Sequence, residues 1–406
     1  MRATICLFAL SVAGSLTACN DYKFRSSNDV YKDTGGLEGE DRPGNGDAGG
    51  DDTGGFDVSD DSGWSYPGDD GGGDGGSPGG PGGGDEPPAE GFGDVEGRIC
   101  DPAGTDWVVG ALVYISVDVD GDGGEDYRVE TTTDADGYFI LEDVPPGTWT
   151  VHVEKGSFST SFIVEVVEGE RVTLPEAECL DSGSVDVAVI TGEYDDIGAM
   201  LTTLTVPYDS YDGTTSTDYL GLLLSPADMA GYDIIFINCG EHMTDWAPAL
   251  WSDVGTNLAD YVYNGGSIYA SDWAYPFVEA AWAGAVDWYE DPAYGDDTTI
   301  GAAFMGDVGT IDGTILDAEM QSILGTTSAE LHYDLNNWSV PVAVGGAAYP
   351  LVTGTAPIVG GGSVSGSPLA LEMDWGDGRV IFTSFHNERQ ATVDMELLLM
   401  EIILSL

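Results

Sequence analysis

From about Thr34 to Gly93 the chain is built of Gly, Asp, Ser and Pro, with Arg42 as its one basic residue. Apolar side chains there are too sparse to offset the entropy lost on ordering, so no core can form. The stretch predicts a flexible tether, extended by its own like charges. It leaves a short N-terminal segment on one side and all the foldable chain on the other. The 406 residues are 42% hydrophobic, enough for two folded domains beyond the tether.

Charge narrows the function. Eleven Lys and Arg stand against 72 Asp and Glu, a formal net charge of −61. A polyanion of this size repels nucleic acid and anionic lipid headgroups, so nucleic-acid binding is excluded. After Arg171 the next basic residue is Arg379, and Arg389 is the last. Two explanations stay open for that acidic surface. One is solubility in a saline exterior, where counterions screen the repulsion; the other is a cation-binding face.

The first residues read as a targeting signal. Met1-Arg2 gives a short positive start, and Ile5 to Val12 is apolar but too short to span a bilayer. Leu16-Thr17-Ala18-Cys19 follows. It resembles the lipobox of bacterial lipoproteins, Leu-x-(Ala/Gly)-Cys. The resemblance implies that residues 1–18 are a signal peptide, that Cys19 carries the lipid, and that 19–93 are a lipidated tether. Asn20 rather than Asp comes next, so the expected location is the outer membrane or cell surface rather than the inner membrane.

Residues 94–180 show short alternating segments divided by Gly, Pro and Asp turns, such as Val95–Ile99, Gly110–Val117 and Thr131–Phe139. That spacing predicts an antiparallel β-sandwich. The strings GRICDPAG, GALVYISV and TTTDADGYFILEDVPPGTWTVHVE resemble carboxypeptidase regulatory-like domains with a transthyretin-like sandwich, grouped with carbohydrate-binding-like folds. Such domains are usually non-catalytic modules. Asp118, Asp120, Asp122 and Asp126 fall where a hairpin turns. Alternate carboxylates can converge on calcium, a candidate cofactor, but the twelfth loop position is Val129 and no bidentate Glu is present. A calcium site and a solvated acidic turn both remain open. Cys100 and Cys179 bracket the domain, and an exported compartment permits a disulfide between them.

From residue 185 to 406 the pattern changes. Val185–Ile190, Tyr232–Cys239, Ser267–Ala270 and Arg379–Phe385 are apolar strands, separated by helical stretches near Ile197–Leu204, Leu250–Tyr263 and Trp273–Trp282; Val393–Leu406 closes the chain as a helix. Strands alternating with helices predict a parallel sheet covered on both faces, with chemistry at the carboxyl ends of its strands. The motifs GGSIYASDWA and FTSFHNE resemble the nucleophile elbow and the His-x-Glu strand end of class I glutamine amidotransferase-like domains, including their trehalose-utilisation relatives. The resemblance implies a three-layer, flavodoxin-like α/β domain. It also puts Asp272, with Ser271 beside it, where the family has its Cys nucleophile.

A carboxylate cannot perform thiolate acyl transfer from glutamine, so amidotransfer is not expected. His386 and Glu388 could form an acid–base pair. His386 with Asp272 and Glu241 could hold a metal. Ser271, Asp272 and His386 could equally be a hydrogen-bonded remnant that fixes loops. Cys239, Glu241, Trp273 and Arg389 are the candidate pocket residues, with Cys239 read as a buried free thiol and the tryptophans as core or cover. Two functions are expected to compete. One is a non-enzymatic surface lipoprotein that binds a cell-envelope or extracellular glycan or protein. The other is an extracellular hydrolase of an ester, amide or glycan using His386 and Glu388.

Overall fold

The structure is a computed structural model. It describes residues 88–89, 91–117, 125, 127–240, 248–289, 303–387 and 391–406. Cys19, Asp118, Asp120, Asp122, Asp126, Glu241, Glu388 and Arg389 lie outside the described residues, as do all of residues 1–87.

Two four-stranded sheets form the first domain. One joins Tyr138–Val144, Gly93–Cys100 and Arg171–Thr173, with Glu178–Cys179 also on Gly93–Cys100; the other orders Tyr127–Thr132, Leu112–Val117, Gly147–Lys155 and Phe158–Val166. Val95, Ile99, Val113, Ile115, Phe139, Leu141, Val151 and Val153 are buried in one cluster between them. Each recurs at every second position of its strand, which is the alternation that sends one face inward. The expectation of a wholly antiparallel sandwich needs correction. Arg171–Thr173 and Glu178–Cys179 run parallel to Gly93–Cys100. After Phe158–Val166 completes the second sheet, the chain crosses back to the first sheet's free side, and a crossover rather than a hairpin sets parallel direction. That register puts Cys100 opposite Cys179, with Cα atoms 4.3 Å apart, and the two are disulfide-bonded.

The remaining chain builds one nine-stranded sheet in the order Asp209–Tyr211, Val187–Ile190, Ile234–Ile237, Ser267–Ser271, Gly378–Thr383, Ser363–Trp375, Ala348–Pro357, Gly309–Ile315, Ser328–Tyr333. The first five strands are mutually parallel. The last four join antiparallel. The expected all-parallel sheet is therefore a mixed one. Gly309–Ile315 and Ser328–Tyr333 alternate buried and exposed residues, as strands with one wet face do, and such strands need no covering helix between them.

In the parallel half every residue of Val187–Ile190, Ile234–Ile237 and Ser267–Ser271 is buried. Val187, Val189, Ile234, Phe236 and Tyr269 join a cluster containing Ile197, Leu201, Leu398 and Ile402 from two helices. Their neighbours Ala188, Ile190, Ile235, Ile237 and Ile268 join a second cluster with Val254, Leu258 and Val262 of helix Pro248–Tyr263. Period-two side chains thus feed two cores from one sheet. The closing helix Val393–Ser405 buries six apolar residues in the cluster that also holds the sandwich core. Among the described residues no helix is long and apolar enough to cross a membrane.

Candidate functional site

Register brings the site together. Ile237 pairs with Ala270, and Ser271 pairs with Thr383, so three neighbouring parallel strands end abreast. The residues just past those ends are Cys239, Asp272 and His386. Close backbone approach is required beside them. A Cβ on Gly192 would stand 2.0 Å from the Cys239 carbonyl oxygen, and Gly240 has φ +104°. Any larger residue at either position would push the strand ends apart.

Asp272 occupies the turn between strand Ser267–Ser271 and helix Tyr275–Ala281, at φ +43°. Left-handed backbone on a non-glycine residue is strained by about 1 kcal/mol or more and persists when its surroundings fix it. Ser339 does the fixing. Its N–H donates to Asp272 Oδ1 at 2.6 Å, and its hydroxyl lies 2.9 Å from the same oxygen and 2.8 Å from the Asp272 carbonyl. This leaves Oδ2 facing the Cys239 thiol, which donates to it at 3.5 Å, and His386 Nε2 at 3.9 Å. One donor atom from each of the three residues lies within 4.8 Å of the others. All three side chains are buried, with Cys239 1% and His386 4% exposed.

A second row supports them. The Ser271 hydroxyl accepts from the Cys239 N–H at 2.9 Å and donates to Asp195 Oδ2 at 2.5 Å. Asp195 Oδ1 accepts from the Asn387 N–H at 3.2 Å. The Asn387 side chain in turn clasps the Asp196 backbone, accepting from its N–H at 2.8 Å and donating to its carbonyl at 2.7 Å. The segment leading to His386 is pinned by Thr383, whose hydroxyl donates to the Phe385 carbonyl at 2.6 Å, and by Ser384, which bonds the Leu369 carbonyl at 3.1 Å.

Burial sets the protonation states. It pushes Asp272 up to about 7, with the Ser339 and Cys239 bonds pulling the other way, and Asp195 up to about 6. It pushes His386 down to about 4. Each shift favours the uncharged form. At neutral pH His386 is therefore a neutral imidazole, and its contact with Asp272 is not an ion pair. Cys239 faces a carboxylate, whereas a nucleophilic thiolate needs positive surroundings.

Trp273, the next residue, is half-buried. It stacks on Phe304 with ring centroids 4.9 Å apart, meets Tyr194 edge-on and donates its N–H to the Asn337 carbonyl at 2.8 Å. Trp282 and Trp288 are buried in the core. His152 lies in a sandwich strand and stacks on Tyr114.

The structure thus gathers Ser271, Asp272, Cys239 and His386, with Trp273 alongside. Sequence reasoning missed Ser339 and Asn387, and it placed Cys239 in the pocket without joining it to Asp272. The signal available for Cys239 was its place directly after an apolar strand, the same place that singled out Asp272. Ser339 had no such signal.

The family model for carboxypeptidase regulatory-like domains matches residues 94–177. That segment is a carboxypeptidase regulatory-like domain. The Cys100–Cys179 disulfide closes this regulatory-like domain just past the matched range. No curated protein sequence matches the chain. Among solved structures, a putative ThuA-like protein from Parabacteroides merdae is 14% identical over 54% of this chain and 90% of its own, with a TM-score of 0.34. A putative carbohydrate binding protein from Pseudomonas aeruginosa is 17% identical over 21% of this chain and 88% of its own, with a TM-score of 0.17. A type II cohesin–X-dockerin complex from Acetivibrio cellulolyticus is 24% identical over 21% of this chain, which spans 56% of that one, with a TM-score of 0.15. At these scores the likenesses assign no activity to the chain.

Proposed function

We propose that this chain is a lipid-anchored surface protein, attached through Cys19 and held off the membrane by its Gly/Asp-rich tether, with a C-terminal domain that binds rather than catalyses. The Leu16–Cys19 lipobox supports the anchor. We read residues 185–406 as a class I glutamine amidotransferase-like, flavodoxin-like domain extended by four antiparallel strands. Support comes from the five parallel strands, the strained elbow at Asp272 and the adjacent His386 strand end. One observation carries the functional reading: the elbow holds a carboxylate locked by Ser339. That group cannot attack glutamine as a thiolate does. The ligand class is a glycan or protein of the cell envelope or its exterior.

The hydrolase reading is weaker. A general base works best with a pKa near the working pH, and burial holds His386 at about 4. The test is fractionation and assay of the same protein. Cys19→Ala should move the chain from the membrane to the soluble fraction, and the purified chain should not hydrolyse glutamine. Membrane retention of the variant would remove the anchor, and measurable glutaminase activity would remove the binding reading.

A further inference from the structure

Three chemically different donors meet at the elbow: a thiol sulfur, a carboxylate oxygen and an imidazole nitrogen. We propose that Cys239, Asp272 and His386 bind one divalent transition-metal ion of the zinc class through Sγ, Oδ2 and Nε2. The proposal deepens the binding reading and rests on Asp272 being a ligand rather than a nucleophile.

Geometry is the first argument. A tetrahedral ion with bonds of about 2.3 Å to sulfur and about 2.0 Å to oxygen and nitrogen sets S···O at about 3.5 Å and O···N at about 3.3 Å. The separations here are 3.5 Å for Cys239 Sγ to Asp272 Oδ2 and 3.9 Å for His386 Nε2 to the same oxygen. Moving the imidazole by about 0.6 Å closes the second gap, and the same movement must bring its nitrogen, which lies within 4.8 Å of the sulfur, to about 3.5 Å from it.

Donor chemistry is the second. Sulfur with imidazole selects zinc-like ions over calcium and magnesium, which take oxygen shells. The third argument is support. Ser339 holds Oδ1 and so aims Oδ2 inward, while Ser271 holds the Cys239 backbone and is itself held by Asp195. Ligating groups oriented by a second row of hydrogen bonds are the usual construction of a metal site. On binding, the thiol proton passes to solvent, and the ion supplies the positive charge that a buried thiolate needs. Three protein donors leave one tetrahedral position for water or another ligand.

The chain has five cysteines. Cys100 and Cys179 are bonded to each other and Cys6 lies in the signal segment, so with Cys19→Ala in the mature chain a thiolate–metal signal can come from Cys239 alone. The experiment uses that untagged full mature chain, stripped with chelator and titrated with cobalt(II). The expected result is one equivalent bound, with a sulfur-to-cobalt charge-transfer band and tetrahedral visible bands. Zinc should displace the cobalt and bleach both. Cys239→Ser should abolish the charge-transfer band, and His386→Ala should weaken binding by at least about tenfold. Cobalt uptake without that band is attraction to the acidic surface and overturns the site, as does a band that survives Cys239→Ser. The cobalt titration of the unmutated site decides even if a variant fails to fold. A glutaminase assay on the same sample reads the broader binding proposal separately.

Discussion

At the seam between the sandwich and the closing helix, Glu401 is buried against Lys155 at 2.6 Å, and Lys155 also contacts Glu319. At the elbow, Asp195 and Asp272 are buried against hydroxyls, amide N–H groups, a thiol and an imidazole. Burial raises the carboxyls in both places, Glu401 to about 8 and Asp272 to about 7. Burial therefore does not distinguish a structural acid from a functional one. The partners do. A lysine across the seam lies against both acids and joins the two domains. A mixture of sulfur, nitrogen and oxygen donors with a strained backbone satisfies nothing that a plain hydrogen-bonded core would not satisfy more simply. An open cleft of about 540 Å³ lies at the seam, lined by Lys155, Glu319, Arg379 and Leu406.

On that contrast, the seam governs stability and the elbow governs binding. Lys155→Met should have the largest effect. Measured above the value of about 8 to which burial pushes Glu401, where that carboxyl is ionised, it strands a buried charge, and breaking a buried pair from one side costs about 3–5 kcal/mol. The urea midpoint should fall accordingly, while cobalt binding by the protein that remains folded stays unchanged. Loss of cobalt binding in that variant would merge the two regions into one.

Next comes the disulfide, which closes a sequence separation of 79 residues. Replacing Cys100 and Cys179 by Ser should destabilise by about 2–4 kcal/mol, because the unfolded chain regains loop freedom. Urea unfolding followed by circular dichroism would read this, again without change in cobalt binding at the elbow. Ser339→Ala should be smallest in stability, about 1–2 kcal/mol for the lost bonds to Asp272. In metal affinity it should be about tenfold weaker, because the hydroxyl that steadies Asp272 is gone while the backbone N–H bond to Oδ1 remains. A Ser339→Ala variant with unaltered affinity would make the Asp272 lock merely structural.

How much of this could be read in advance differs between the regions. Val113, Ile115, Val151 and Val153 declare their strands by alternation, and the turn residues between them are unambiguous. Val187–Ile190 and Ile234–Ile237 are short apolar runs that a covered parallel sheet requires. The four antiparallel strands were not legible. Ser363–Trp375 and Ala348–Pro357 carry Gly354, Gly366 and several Ser and Pro residues, whose weak strand preference hides a long ladder behind turn-like composition. The elbow was visible at Asp272 and His386, since each follows an apolar strand directly. The involvement of Cys239 depends on the register between Ile234–Ile237 and Ser267–Ser271. Ser339 arrives from a two-residue strand more than sixty positions away. Neither register nor such a remote return leaves a local pattern in one sequence.

The most direct test of the account is the zinc-edge X-ray absorption spectrum of the chain from residue 19 to 406, carrying Cys19→Ala and loaded with one equivalent of zinc. The account predicts a four-coordinate shell with one sulfur at about 2.3 Å and the remaining nitrogen and oxygen donors at about 2.0–2.2 Å, the sulfur disappearing in Cys239→Ser. A shell of oxygens alone, or a sulfur that persists in Cys239→Ser, would contradict it.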